Sequence, residues 1–271
     1  MGKGKRAITT LAIGETYRDR WVRWCAPSWQ AYAQRHGYGL ICFTQPLDDS
    51  DRARSRSPAW QKCLILGQPA LRDFERVVWI DSDIAIHPNA PDVAAAVPMD
   101  RVGAVDEFSA PTPAQYRQAL EQCHRVWQRQ DATIPEVVTA PAYYQQVGLP
   151  PSFSQVVQTG MLVLSPRYHR DLLELVYYKY EDAGSPLWNY EMRFLSYELL
   201  ERDRVTWVDP RFNALWMMYK ALHAPALLAY RRGEHRSLFL EHLTAAYRTN
   251  YFLHFAGCGM EMAALPHLAL E

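Results

Sequence analysis

Residues 76–83 read Arg76-Val77-Val78-Trp79-Ile80-Asp81-Ser82-Asp83, an apolar, β-branched run that stops abruptly at two acids. The run predicts a buried strand. Two carboxylates at the end of a buried strand are costly unless a cation sits on them. Asp81 and Asp83 are two apart, so on a continuing strand they share one face. A turn at Ser82 would redirect them and still keep them close. The neutralising partner that suits hard oxygen ligands is a divalent cation. At the C-terminal edge of a strand, where α/β proteins keep their ligand crevice, such a cation points to a phosphate-bearing substrate. An isolated D-x-D is common and means little alone. Its position in an alternating pattern gives it weight.

That pattern is read outward from the run. Residues 7–13 form a first predicted strand before Gly14, and 17–36 carry Trp21, Trp24, Trp29 and Tyr32 at helical spacing up to Gly37. Residues 39–43 predict a second strand, 45–57 a polar loop, and 58–74 a helix broken by Gly67 and Pro69. Strand, helix, strand, helix, strand argues for a mostly parallel sheet flanked by helices. Further on, the expectations are strands at 102–105, 159–164, 205–208 and 251–255. Helices are expected at 113–130, 169–180, 187–200 and 234–247, a proline-rich loop at 139–151, and a turn at 209–213. No internal repeat or linker interrupts the chain. The expectation is one α/β domain, 1–271, with a nucleotide-binding half near 6–110 and an acceptor-side half near 111–271.

Composition narrows the function. The 271 residues are 49% hydrophobic and 13% aromatic, which supports a large core and excludes a disordered chain. The formal net charge of +0 argues against bulk binding to nucleic acid. The five cysteines are odd in number and hold no C-x-x-C pair, so a zinc site or a disulfide framework is not expected. The apolar run after the basic opening residues is too short for a secretory signal. No stretch approaches the roughly 18 apolar residues of a membrane helix. A soluble, cytoplasmic protein is expected, peripheral to a membrane at most.

Other residues carry chemistry with less force. His254 lies on an apolar run entering the turn Ala256-Gly257-Cys258-Gly259, where backbone can approach phosphate. A lone histidine on such a strand is more often a core residue than a ligand, though imidazole beside carboxylates suits Mn²⁺. Gln158-Thr159-Gly160 opens a strand, and its glycine is either a bulge or room for a sugar ring. Lys62, with Arg52, Arg54 and Arg56 before it, sits on a solvated face or reaches a diphosphate. Glu191 reads by default as an exposed helix acid. Asp106 ends a strand and could hold sugar hydroxyls.

In this order the pieces resemble a GT-A type glycosyltransferase. The nearest likeness is the galactosyl/xylosyltransferase family of plant and fungal Golgi enzymes, with a looser one to the glycogenin-like group. Arg35-His36-Gly37-Tyr38 resembles that family's R-H-G-Y, and Trp60-Gln61-Lys62 its W-x-K. Trp79-Ile80-Asp81-Ser82-Asp83 resembles W-[LM]-D-S-D, and His254-Phe255-Ala256-Gly257-Cys258 resembles H-F-x-G-C. Gln158-Thr159-Gly160 stands where the family has N-T-G, and Glu191-Met192 where it has D-Q. The likeness runs from about residue 20 to 260. The lysine that often follows H-F-x-G-C, contacting phosphate, is replaced by Gly259-Met260.

The resemblance implies that Asp81, Asp83 and His254 hold Mn²⁺, with Mg²⁺ the alternative, on a nucleotide diphosphate. It implies a UDP-sugar donor, an acceptor hydroxyl on a carbohydrate or other molecule, and retention of anomeric configuration. Gln158, Asp106 and Glu191 are then the candidate catalytic residues. Thr10, Tyr17, Lys62, Ser82, Thr159, Gly160 and Gly257 are the candidate donor-binding set. Some of the 9 Trp and 16 Tyr should wall sugar rings, although most belong to the core. A competing reading is a non-catalytic nucleotide- or glycan-binding protein on a degenerate transferase fold. A metal-dependent phosphohydrolase ranks last, because it needs more clustered acids.

Overall fold

The computed structural model describes residues 5–129, 139–182, 190–229 and 235–268. Parts of three expected helices (Gln130, 187–189 and Glu234) lie outside them. Nine strands are described: β1 Arg6–Leu11, β2 Gly39–Phe43, β3 Arg76–Ile80, β4 Ile84–Ile86, β5 Val102–Asp106, β6 Val157–Leu164, β7 Val205–Trp207, β8 Ala214–Leu215 and β9 Phe252–His254. Six form the central sheet, ordered β2-β1-β3-β6-β5-β7, and β4-β9-β8 form a small second sheet.

The pairings give β1, β2, β3, β5 and β7 one direction and β6 the other. The expected mostly parallel sheet is therefore present with one reversed strand. All eight residues of β6 are buried. A run buried on both faces carries no mark of its direction, which is why the sequence did not reveal the reversal. The reversal matters for the site, because it brings the start of β6 to the C-terminal ends of β3 and β5. Ile80 pairs with Met161 and Val105 with Gln158.

Strand side chains alternate between two cores. Val78 and Ile80 join Trp29, Tyr32 and Phe252 on one face. Val77 and Trp79 join Trp60, Leu173 and Leu195 on the other. Both faces are covered by helices, as the alternating pattern requires.

Local departures from expectation have local causes. The helix expected at 17–36 begins at Glu15 and passes through a π-helical turn, Trp21–Cys25, before the α-helix Ala26–His36. Pro27 at the start of that α-helix lacks the N–H that would continue a regular ladder. The break expected in 58–74 separates two 3₁₀ segments, Pro58–Gly67 and Pro69–Leu71. The expected loop at 139–151 contains a helix, Ala140–Gln145, because Thr139 caps it and Pro141 sits in its first turn. The polar loop 45–57 likewise holds a short helix, Asp51–Arg54, capped by Ser50. Helix Trp216–His223, β8 and the 3₁₀ segment Gly259–His267 had no counterpart in the sequence reading. All five cysteines are free thiols. Among the described residues no helix is long and apolar enough to cross a membrane.

Candidate active site

Asp81 leaves β3 at its C-terminal end, and its N–H donates to the Gly160 carbonyl at 2.8 Å. A tight turn follows, with the Ile84 N–H on the Asp81 carbonyl at 3.2 Å. Asp83 is thereby directed at β9, whose extension it joins: the Phe255 N–H donates to the Asp83 carbonyl at 2.9 Å. Ile84 pairs with His254 across β4 and β9. His254 is thus set beside both acids by the small sheet. Its Nε2 lies 3.2 Å from Asp83 Oδ1 and 4.0 Å from Asp81 Oδ2. One ligand atom from each of Asp81, Asp83 and His254 falls within 4.8 Å of the others.

The imidazole is oriented from behind. His254 Nδ1 meets Asn213 Oδ1 at 2.9 Å, which leaves Nε2 toward the acids. Asn213 Nδ2 in turn donates to Gln158 Oε1 at 2.6 Å, and the Gly160 N–H donates to the same oxygen at 2.5 Å. Gly160 is required by this packing: a Cβ there would lie 2.5 Å from His254 Cε1. Burial works against the His254 charge, but the facing Asp83 outweighs it and raises the imidazole pKa. Burial likewise works against the Asp83 carboxylate, and His254 outweighs it, so that carboxyl titrates below its ordinary value. Two carboxylates and an oriented imidazole on one small volume are a donor set suited to a divalent cation such as Mn²⁺.

Lys62 is buried beside this cluster. Its Nζ lies 3.1 Å from Asp81 Oδ1 and 2.9 Å from Glu191 Oε1, and donates to the Thr159 carbonyl at 3.3 Å. Burial disfavours its charge, yet the two carboxylates raise its pKa above the ordinary lysine value. Glu191 is not the exposed acid that its sequence context suggests; it is 2% exposed and also accepts from the Thr159 hydroxyl at 2.9 Å. Arg52 and Arg56, read as alternatives for a diphosphate, instead donate to the Tyr177, Tyr178 and Tyr180 carbonyls and pair with Glu181.

These groups face a cavity of about 890 Å³ at the C-terminal edge of the sheet. Tyr17, Lys62, Ser82, Thr159, Gly160 and Gly257 all line it. So do Gln158 and Glu191, together with the three metal-ligand candidates. Thr10 does not: it is buried within β1, and Leu11 and Ile13 line the cavity in its place. Asp106 is also turned away. Its carboxylate accepts from the Phe108 N–H at 3.2 Å, the Val156 N–H at 3.1 Å and the Ser109 hydroxyl, capping the turn Glu107–Ser109. The next residue, Glu107, lines the cavity. The Gln158 carbonyl oxygen, expected to steady a cationic centre, is already held by Asn213 and Gly160, so the geometry gives it a positioning role.

Glu107 and Asn213 were missed by sequence reasoning. An Asp followed by Glu-Phe-Ser is a capping signal that could have moved attention from Asp106 to Glu107. Nothing local marks Asn213, whose role depends on the small sheet. Glu107 is 8% exposed, accepts from the Tyr116 hydroxyl at 2.8 Å, and has a second oxygen without a partner. Burial, against that hydrogen bond, pushes its pKa from 4.5 up to about 6. The folded protein therefore holds the proton longer than the unfolded chain. Stability is lost as pH rises from the unfolded value through the folded one, and the loss is complete above it. Glu107→Gln should accordingly stabilise the protein by about 2 kcal/mol at pH 8 and be near neutral at pH 4. Thermal melts at the two pH values check this; an equal effect at both would contradict it.

No protein-family model matches the chain, and no curated protein does. Among solved structures, 97% of it aligns with the whole of a glycosyltransferase involved in the glycosylation of the major capsid of PBCV-1, at 15% identity and a TM-score of 0.54. The galactosyltransferase LgtC, in complex with donor and acceptor sugar analogs, aligns over 98% of this chain and 97% of its own, at 12% identity and a TM-score of 0.48. A six-stranded, mostly parallel sheet flanked by helices, in one domain, gives this chain the GT-A fold.

Proposed function

We propose that the protein is a metal-dependent glycosyltransferase that moves a sugar from a nucleotide-sugar, a UDP-sugar on the motif resemblance, to an acceptor hydroxyl with retention. The observation that carries this reading is the Asp81–Asp83–His254 cluster on the wall of a large cavity at the sheet's C-terminal edge. The resemblance of these motifs to those of the plant and fungal galactosyl/xylosyltransferases suggests the donor and the stereochemistry. In this reading 6–110 supply the nucleotide side and 111–271 the acceptor side. The free thiols are in keeping with a cytoplasmic setting.

A cation held by Asp81, Asp83 and His254, Mn²⁺ or Mg²⁺, would neutralise the diphosphate and ease its departure. The chain's own groups do the rest. Asn213 fixes the His254 tautomer and ring, and Gln158 holds Asn213. Lys62 bridges Asp81 and Glu191 through its ion pairs, which fixes the Asp81 carboxylate beside Asp83 and His254. Tyr17, 59% exposed at the cavity mouth, offers a ring for the base. Ser82, Thr159, Gly160 and Gly257 contribute hydroxyls and close backbone along the donor. In a retaining transfer the hydroxyl attacks from the face the phosphate leaves. The bond from sugar to phosphate breaks with its electron pair on phosphate, and phosphate oxygen takes the acceptor's proton.

The test is nucleotide release from a panel of UDP-, GDP- and CMP-sugars, with and without Mn²⁺ and with chelator added. Turnover of one UDP-sugar that stops on chelation is expected. Turnover unaffected by chelator would overturn the metal role. Metal-dependent nucleotide binding without turnover of any donor or acceptor would favour the binding-protein reading.

A further inference from the structure

The cavity carries a cation that belongs neither to the Asp81–Asp83–His254 cluster nor to the Lys62 ion pairs. Arg20, at the end of helix Glu15–Arg20, lines the cavity and is half-buried. Among the described residues it meets no carboxylate and no hydrogen-bond acceptor; its one neighbour of note is the Tyr17 ring, 5.9 Å from its guanidinium carbon. Its Nη1 lies against the turn that follows His254, 3.6 Å from where a Cβ on Gly259 would sit. In that turn Gly257 has φ +68°, a conformation open to glycine, and it lines the same cavity. Arg20 and Tyr17 are three apart on one helix, so they face the cavity together.

The charges of the Asp81–Asp83–His254 cluster and of the turn after it are otherwise answered. The carboxylates of Asp81 and Asp83 match the charge of a divalent cation. Lys62 is shared between Asp81 and Glu191. Lys220, near the same turn, is paired with Glu261 at 2.7 Å. A nucleoside diphosphate laid on the cation keeps negative charge that none of these groups meets. A guanidinium beside a glycine turn meets it with fork-shaped donors.

We propose that Arg20 is a diphosphate-binding residue: its guanidinium donates to the terminal phosphate of the metal-bound nucleotide. This rests on the donor reading above. The test is calorimetric titration of the wild-type protein, Arg20→Ala and Arg20→Lys with UDP and with UMP, all in Mn²⁺. Arg20→Ala should weaken UDP roughly tenfold or more and UMP by less than about twofold, with Arg20→Lys between. Equal losses for the two nucleotides, or none, would overturn the assignment while leaving the donor reading intact. A wild-type protein that binds no UDP in Mn²⁺ would sink the donor reading and this inference with it.

Discussion

Replacing Asp83 with alanine should weaken Mn²⁺ binding about 100-fold or more and remove the metal-dependent part of nucleotide binding, while the protein stays folded. Asp83 ties the turn between β3 and β4 to the extension of β9 through its backbone carbonyl, which accepts from the Phe255 N–H and which the substitution leaves in place. Its carboxylate does something else: it faces His254 Nε2 and shares the cation volume with Asp81. Without it the donor set falls to one acid and one imidazole. His254 can lose its proton once Asp83 is gone, so no unpaired charge is forced on the core and the metal-free melting point should move by only a few degrees. Mn²⁺ titration and a metal-free melt on the same variant separate the two effects. Unchanged Mn²⁺ affinity would remove the cluster from the account.

The second large effect is expected at a residue with no chemistry of its own. Gly160→Ala puts a methyl 2.5 Å from His254 Cε1, 2.8 Å from its Nδ1 and 2.9 Å from Gln158 Oε1. None of these atoms is free to give way. His254 is held by Asn213 on one side and Asp83 on the other, and the Gln158 oxygen is bonded to Asn213. The clash should cost about 1–3 kcal/mol of stability, as overpacking in a core does. It should also push the imidazole off the cation volume and lower Mn²⁺ affinity. Gly39→Ala is the control: there a Cβ meets Phe74 at 3.4 Å, an ordinary contact, and metal binding should be unaffected. Gly160→Ala with native stability and native Mn²⁺ affinity would mean that His254 is not fixed in the way described.

Much of the site could be read from the sequence because its signals are local. Asp81 and Asp83 announce themselves by ending an apolar strand, and the strand–helix alternation gives the sheet its class. His254 emerged from the H-F-x-G-C resemblance rather than from its own surroundings, which read more readily as core. What escaped the sequence depends on geometry between distant segments. The reversed β6 looks like any buried strand, yet its direction delivers Gln158, Thr159 and Gly160 to the end of β3. Asp106 and Glu107 are adjacent acids, and only the capping of Phe108 and Val156 decides which of them faces the cavity. The ion pair of Lys62 with Glu191 joins residues far apart in the chain, and burial turns two apparent surface charges into part of the site. Arg20 reaches the glycine turn from the other end of the sequence, a proximity that no local pattern encodes.

In the function proposed, Asp81, Asp83 and His254 hold a divalent cation on a nucleoside diphosphate. The most direct measurement is the thermal midpoint of the wild-type protein with UDP, with Mn²⁺, and with both. A ligand at about 100 times its dissociation constant adds roughly 2.7 kcal/mol, which moves the midpoint by several degrees in a chain of this size. A shift that requires UDP and Mn²⁺ together, and that Asp83→Ala abolishes, is the expected result. No shift on folded protein, or the same shift in Asp83→Ala, would contradict the account.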